Sequence, residues 1–194
     1  MRLRLSMVML MLLISSTSLA NVTQLETLIQ AHIESELGKP RLLGQAPFRW
    51  FGLKIYEAQL WAGEQGYLPG SAPLVLKLQY ARNLQGSKIA ESSDEQMAQL
   101  GQGSAAERVG WLSAMRGLFP DVQDGQHLTG VWLPDIGVRF YLNGKRLGEI
   151  RDPAFARAFF AIWLDPATSA PALRTALLRN VSLRENADTK SSRP

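Results

Sequence analysis

The dipeptide Asn143-Gly144 stands between two short runs, residues 138–142 and 147–150, in which a strand pattern is written on both sides. Asn-Gly is the pair that a two-residue type I′ turn favours, because both central positions take positive φ. The segment therefore predicts an antiparallel hairpin, and the rest of the chain has to supply the sheet around it. Leu74, Leu76, Leu78 and Tyr80 alternate with Val75, Lys77 and Gln79, which predicts a strand with one face towards water. Residues 128–133 read as another strand. Between 48 and 61, Arg49, Phe51, Leu53 and Ile55 alternate with Phe48, Trp50, Gly52, Lys54 and Tyr56. Both sets carry bulky apolar groups, so one long strand held between two covers is expected there.

The covers are equally legible. Leu25, Leu28, Ile29, His32 and Ile33 recur at helical spacing over residues 23–36, and Gly38 and Pro40 stop the helix. Ile89, Ser93, Met97 and Leu100 make a modest stripe. Ser104 and Glu107 form a capping box ahead of a stronger one through Trp111, Leu112, Met115, Leu118 and Phe119, ended by Pro120. Asp152 caps a helix that has Pro153 at its first position and Phe155, Phe159, Ile162 and Trp163 on one side; a short helix opens at Pro171 and buries Leu173, Ala176 and Leu177. Strands and helices in blocks, joined by a hairpin, indicate an α+β fold with an antiparallel sheet.

The first residues have the three parts of a secretory leader: Arg2 and Arg4, an apolar run over 5–14, and the small residues Ser18 and Ala20 framing Leu19. Cleavage is expected after Ala20. The polar stretch 15–18 arrives too early for a spanning anchor, and no cysteine follows the run to accept a lipid, so no stable membrane insertion is expected once the leader is removed. A single domain over 21–183 follows, and the composition from 184 onward, with Glu185, Asn186, Asp188, Lys190, Ser191 and Ser192, predicts a disordered tail over 184–194. The expected location is the periplasm or the exterior. Without cysteine there is no disulfide framework and no thiolate metal site, and with two histidines a histidine metal site is not expected. Of 21 basic and 17 acidic residues, Arg2 and Arg4 leave with the leader, so the mature balance is 19 against 17. Such a near-neutral chain, without a basic block interleaved with aromatics, does not point to nucleic acid. No G-x-S-x-G elbow, phosphate loop, dinucleotide fingerprint or H-E-x-x-H motif occurs, and no cofactor is expected.

Three ordered stretches carry a family likeness. The run L-L-G-Q-A-P-F-R-W-F-G-L-K-I-Y-E-A-Q-L-W over 42–61, the Y-A-R-N segment at Tyr80, and the hairpin with the helices behind it over 138–174 together resemble the chalcone isomerase superfamily, in its exported bacterial branch more than in the plant enzymes. The resemblance implies an open-faced β-sandwich, a large antiparallel sheet covered by helices on one face, with a ligand cleft between them. It implies that Arg49 matches the arginine which in true chalcone isomerases orients the substrate's phenolate, and which in fatty-acid-binding relatives pairs with a carboxylate. A planar guanidinium suits both tasks. Among Phe48, Trp50 and Phe51 a buried Arg49 is expected to need an anion, in a cleft beneath the helix of Phe155 and Phe159. Tyr56 matches the family segment as well and either meets the ligand or packs. Trp50 and Lys54 complete the candidate ligand-binding set, Lys54 sharing a face with Trp50 and Tyr56 on a regular strand. Arg82 and His127 read as solvated loop residues, and Asp135, Glu149, Asp152 and Asp165 as turn or cap residues.

The chain departs from the plant enzymes where they place a tyrosine just before a Lys-Val pair, because Gln85 precedes Lys88-Ile89 here, and Ser92 stands where they have an asparagine. Three functions follow as alternatives. One is a non-catalytic binder of a small anionic amphiphile such as a fatty acid. The second is an isomerase of the chalcone type, with Arg49 catalytic, and the third an interaction protein whose cleft is vestigial.

Overall fold

Six strands pair in the order of the chain, each antiparallel to the next: β1 Arg41–Trp50, β2 Leu53–Ala62, β3 Leu74–Tyr80, β4 His127–Leu133, β5 Gly137–Leu142 and β6 Lys145–Ile150. The computed structural model describes residue 24 and residues 27–181. The expected leader, 1–20, and the expected tail, 184–194, both lie outside the described residues. Helix α1 covers residues 27–37. Helices α2 Gly86–Gln99 and α3 Ala105–Leu118 connect β3 to β4, and α4 Pro153–Leu164 and α5 Pro171–Leu177 follow the sheet. The capping box of Ser104 and Glu107 opens α3. Asp152 opens α4, its Oδ1 accepting from the backbone N–H groups of Ala154 and Phe155 at 2.8 and 3.1 Å, while Oδ2 accepts from Trp111 Nε1 at 2.8 Å.

The single long strand expected across 48–61 is two strands. Phe51 and Gly52 turn the chain back with φ of 46° and 79°, matching Asn143 and Gly144 at 51° and 78° in the β5–β6 hairpin. The alternation hid this turn because phenylalanine rarely takes positive φ, where its Cβ crowds the following carbonyl. Gly52 was the only local sign.

The main core lies between one face of the sheet and α2–α5. Ala58, Leu60, Leu74, Leu76 and Leu78 from the strands meet Met97, Met115, Phe155, Phe160 and Leu177 from the helices. Its centre is aromatic: Phe140 stands 4.9 Å from Phe119 and 5.3 Å from Phe159, ring centre to ring centre. A Cβ on Gly130 would sit in ordinary van der Waals contact with both rings, 3.4 Å from Phe140 and 3.6 Å from Phe159. At the edge a side chain is excluded at Gly44, where β1 runs directly under the last turn of α5.

The fold is the expected one, except that the first of the expected helices packs on the far side of the sheet from the others. There α1 lays Ile29 and Ile33 on Val75, Val131 and Tyr141. The face of β3 expected to meet water is thus covered at Val75 and at Lys77, which is only 8 % exposed, while Gln79 meets water as expected. Alternation identifies two faces of a strand but not what packs on each, because a lysine stem can lie along apolar neighbours.

Candidate functional site

Where the sheet ends at the β1–β2 turn, Phe48, Tyr56 and Tyr80 lie side by side on three neighbouring strands. Phe48 stacks on Tyr56 at 5.0 Å, and Tyr80 meets Tyr56 edge-on at 5.9 Å. From α4, Trp163 Nε1 donates to the Tyr56 hydroxyl at 3.0 Å. That bond ties the sheet to the helical layer through the one polar tip each ring owns. Burial pushes the hydroxyls of both tyrosines above the ordinary phenol range, so they stay protonated and neutral. The cluster is therefore an apolar surface with a hydrogen-bonding handle.

Of the four residues proposed from sequence, only Tyr56 belongs to this cluster. Arg49 follows Phe48 in the chain, but the pairing slips between them and Arg49 sits opposite Lys54. Its side chain is exposed and Nη1 donates to the carbonyl of Gly52 at 3.0 Å. The expected placement of Arg49 beneath the helix of Phe155 and Phe159 is not met. Those rings cover Phe140 at the middle of the sheet. An exposed guanidinium keeps its water, so the argument that it needs an anion to be tolerated lapses. Trp50 is 61 % exposed at the tip of the hairpin. Lys54 pairs with Glu57 at 2.8 Å and stands opposite Arg49 in the β1–β2 register, while Trp50 stands opposite Leu53, so the shared face expected for Lys54 and Trp50 does not exist.

A second polar group lies under α1, and sequence reasoning missed it. Arg139 Nη1 donates to both carboxylate oxygens of Glu36, at 2.7 and 3.0 Å, and Tyr141 donates its hydroxyl to the same carboxylate. Arg139 Nε reaches Glu149 at 3.2 Å, and Glu149 also accepts from Arg146 at 3.0 Å and Arg151 at 2.7 Å. Glu149 was expected at a turn or cap. It is instead the acidic centre of three arginines, of which Arg151 contributes most to holding its carboxyl below the usual range. His32 stacks on Tyr141 at 4.6 Å, and its burial, partly opposed by the Leu28 carbonyl and Glu36, lowers the imidazole pKa. His127, read as a solvated residue, is 2 % exposed. Glu36 and Arg139 are separated by 103 positions, so no local pattern could pair them. Their chemistry is structural: they fasten α1 to the sheet. Arg82 is exposed, as expected. Among the described residues no group of three histidine, cysteine or acidic side chains is placed to hold a metal ion.

A six-stranded antiparallel sheet with α2–α5 layered on one face and α1 laid across part of the other defines the class, an α+β sandwich with an aromatic seam between sheet and helices. The family described as chalcone isomerase-like matches residues 48–179, and the chain belongs to that family. It is 29 % identical over 136 residues to an uncharacterized protein of Haemophilus influenzae, a match covering 70 % of this chain and 66 % of that protein, just under two thirds of its length. Its fold is similar to that of a fatty-acid binding protein from Arabidopsis thaliana, with a TM-score of 0.60 over 74 % of this chain and 89 % of that one. At 14 % identity the likeness concerns the fold alone.

Proposed function

We propose that the protein is an exported, non-catalytic binder of a small anionic amphiphile such as a fatty acid. The observation that carries this reading is the row Phe48, Tyr56 and Tyr80 roofed by Trp163, with an exposed cation one residue away. An acyl chain gains from burial against those rings, while its carboxylate stays at the wet edge, where Arg49 can meet it without desolvation. The neutral hydroxyl of Tyr56 can donate to such a carboxylate and is too weak an acid to serve as a base near neutral pH. The fatty-acid binding protein with the similar fold supports the choice of ligand class, and the basic, apolar and small-residue succession of residues 1–20 supports export.

Mass spectrometry of small molecules that copurify with protein taken from its native compartment tests the reading directly, and a fatty acid in stoichiometric amount is expected. Because Arg49 is exposed, Arg49→Leu is expected to weaken fatty-acid binding by only about 1 kcal/mol, roughly fivefold, in titration calorimetry. Tyr56→Phe should weaken it further. Stereoselective closure of a chalcone faster than in buffer alone, lost in Arg49→Leu, would replace binding by isomerisation as the function.

A further inference from the structure

The β1–β2 hairpin outruns the sheet. β3 ends at Tyr80, opposite Tyr56, and its last tie to the hairpin is the Ala81 N–H donating to the Ile55 carbonyl at 2.9 Å. The pairs Arg49 with Lys54 and Trp50 with Leu53, and the turn Phe51–Gly52, lie beyond that point. At about 3.3 Å per residue the tip stands ~10 Å proud of its neighbour strand.

This projection carries what a soluble turn avoids. Phe51 is 89 % exposed, Trp50 61 % and Leu53 54 %. The rings of Trp50 and Phe51 meet edge to face at 5.1 Å, which presents them as one apolar wedge. Phe51 also holds this place at a backbone cost, with φ of 46°, where the chain's other two-residue hairpin uses Asn143 at 51°. A strained backbone and an exposed aromatic at the same residue gain nothing for folding, and such strain points to function. Arg49 lies at the base of the wedge, and among the described residues it forms no ion pair; Lys54 is already paired with Glu57.

We propose that this hairpin tip docks the protein on an anionic lipid surface. The inference does not depend on the fatty-acid reading, since it rests on the outside of the hairpin. A stable protein partner needs roughly 800 Å² of complementary surface from each side, which the end of a ribbon two strands wide does not offer. A bilayer needs only depth, and interfacial elements reach about 5–10 Å into the boundary between headgroups and acyl chains. Tryptophan favours that boundary, and an arginine at the base of the wedge extends to lipid phosphates while its stem follows the apolar groups. Among the described residues no helix is long and apolar enough to cross a membrane.

The test is cosedimentation of the mature protein with vesicles of phosphatidylglycerol and phosphatidylethanolamine, and with vesicles of phosphatidylcholine alone. Wild type is expected to bind the anionic vesicles, and the neutral ones several-fold less. Phe51→Asn gives the tip the residue that the other hairpin already uses at these backbone angles, so folding survives, and binding should fall about tenfold or more. Trp50→Ser is expected to act in the same direction, and Arg49→Ser should abolish the preference for anionic lipid. No binding by wild type, equal binding to both vesicle types, or binding unchanged in Phe51→Asn and Trp50→Ser would overturn the proposal. So would a dimer in solution that Phe51→Asn converts to monomer, because the wedge would then serve a second copy of the chain.

Discussion

Adding one methyl group to Gly44 is expected to cost far more than its size suggests. A Cβ there would lie 2.0 Å from the carbonyl oxygen of Ala176 and 2.6 Å from that of Leu177. Both are backbone atoms of the α5 terminus and cannot rotate away, so the helix end has to retreat by more than 1 Å, about the shortfall from an ordinary van der Waals contact. That retreat loosens Leu177, which is fully buried, and Leu173, 5 % exposed, and it pulls Asn180 from its 3.0 Å hydrogen bond to the Leu42 carbonyl. Overpacking of this kind costs roughly 1–3 kcal/mol, and partial loss of two buried leucines adds about as much again, so Gly44→Ala should destabilise by about 3 kcal/mol. Gly110→Ala is the matched control. It sits in α3 with nothing within 4 Å of the added Cβ, and relief of glycine's backbone entropy should stabilise the fold by about 0.5–1 kcal/mol. Urea denaturation of the three proteins gives the two differences, and they should have opposite signs. A Gly44→Ala protein within about 0.5 kcal/mol of wild type would show that α5 does not rest on β1 as described.

Other expectations concern pH and capping. His32 has a lowered pKa in the folded state, so its contribution is complete above the unfolded value of 6.5 and is lost as pH falls below it. Protonation puts a charge under α1 beside Lys77, with Glu36 the nearest compensation. Hydrogen exchange at residues 27–37, corrected for intrinsic rates, should therefore show more opening at pH 5 than at pH 7.5, and His32→Phe should flatten the difference. At the alkaline end, Tyr56 and Tyr80 keep protons that the unfolded chain releases above 10.0, so stability is full below that pH and falls above it. The fall should approach about 1.4 kcal/mol per pH unit for each tyrosine, and Tyr56→Phe should shed its share in denaturation series at pH 9 and 11. Asp152→Ala removes the α4 cap and the acceptor of the buried Trp111 Nε1, and should lower stability by about 2–3 kcal/mol in thermal unfolding, whereas Asp165→Ala, losing one exposed turn bond, should cost under about 1 kcal/mol.

The elements whose causes are local could be read directly from the sequence. Asn143-Gly144 declares its turn because positive φ selects those residues, Ser104 with Glu107 declares a helix start, and the aromatic stripe of α4 declares a buried helix. The family likeness reached the sheet and its helical cover through several such motifs in order. What escaped were facts of distance and of side-chain aim. Phe51 sits where phenylalanine is disfavoured, so its propensity spoke for a strand while the fold bent it into a turn. Arg49 was expected in a cleft on the strength of the family likeness, whereas a slip in pairing and the turn that follows leave it exposed near the end of the hairpin. Glu36 and Arg139 are each unremarkable in sequence and meet only after α1 is laid across the back of the sheet. Backbone preference is set by a residue and its neighbours, and the chain therefore carries it in plain view. Burial, partner and exposure are set by whatever packs from elsewhere, and for Arg49, Trp50, Lys54 and Tyr56 those are what decided which of them lies in the aromatic seam and which stands in water.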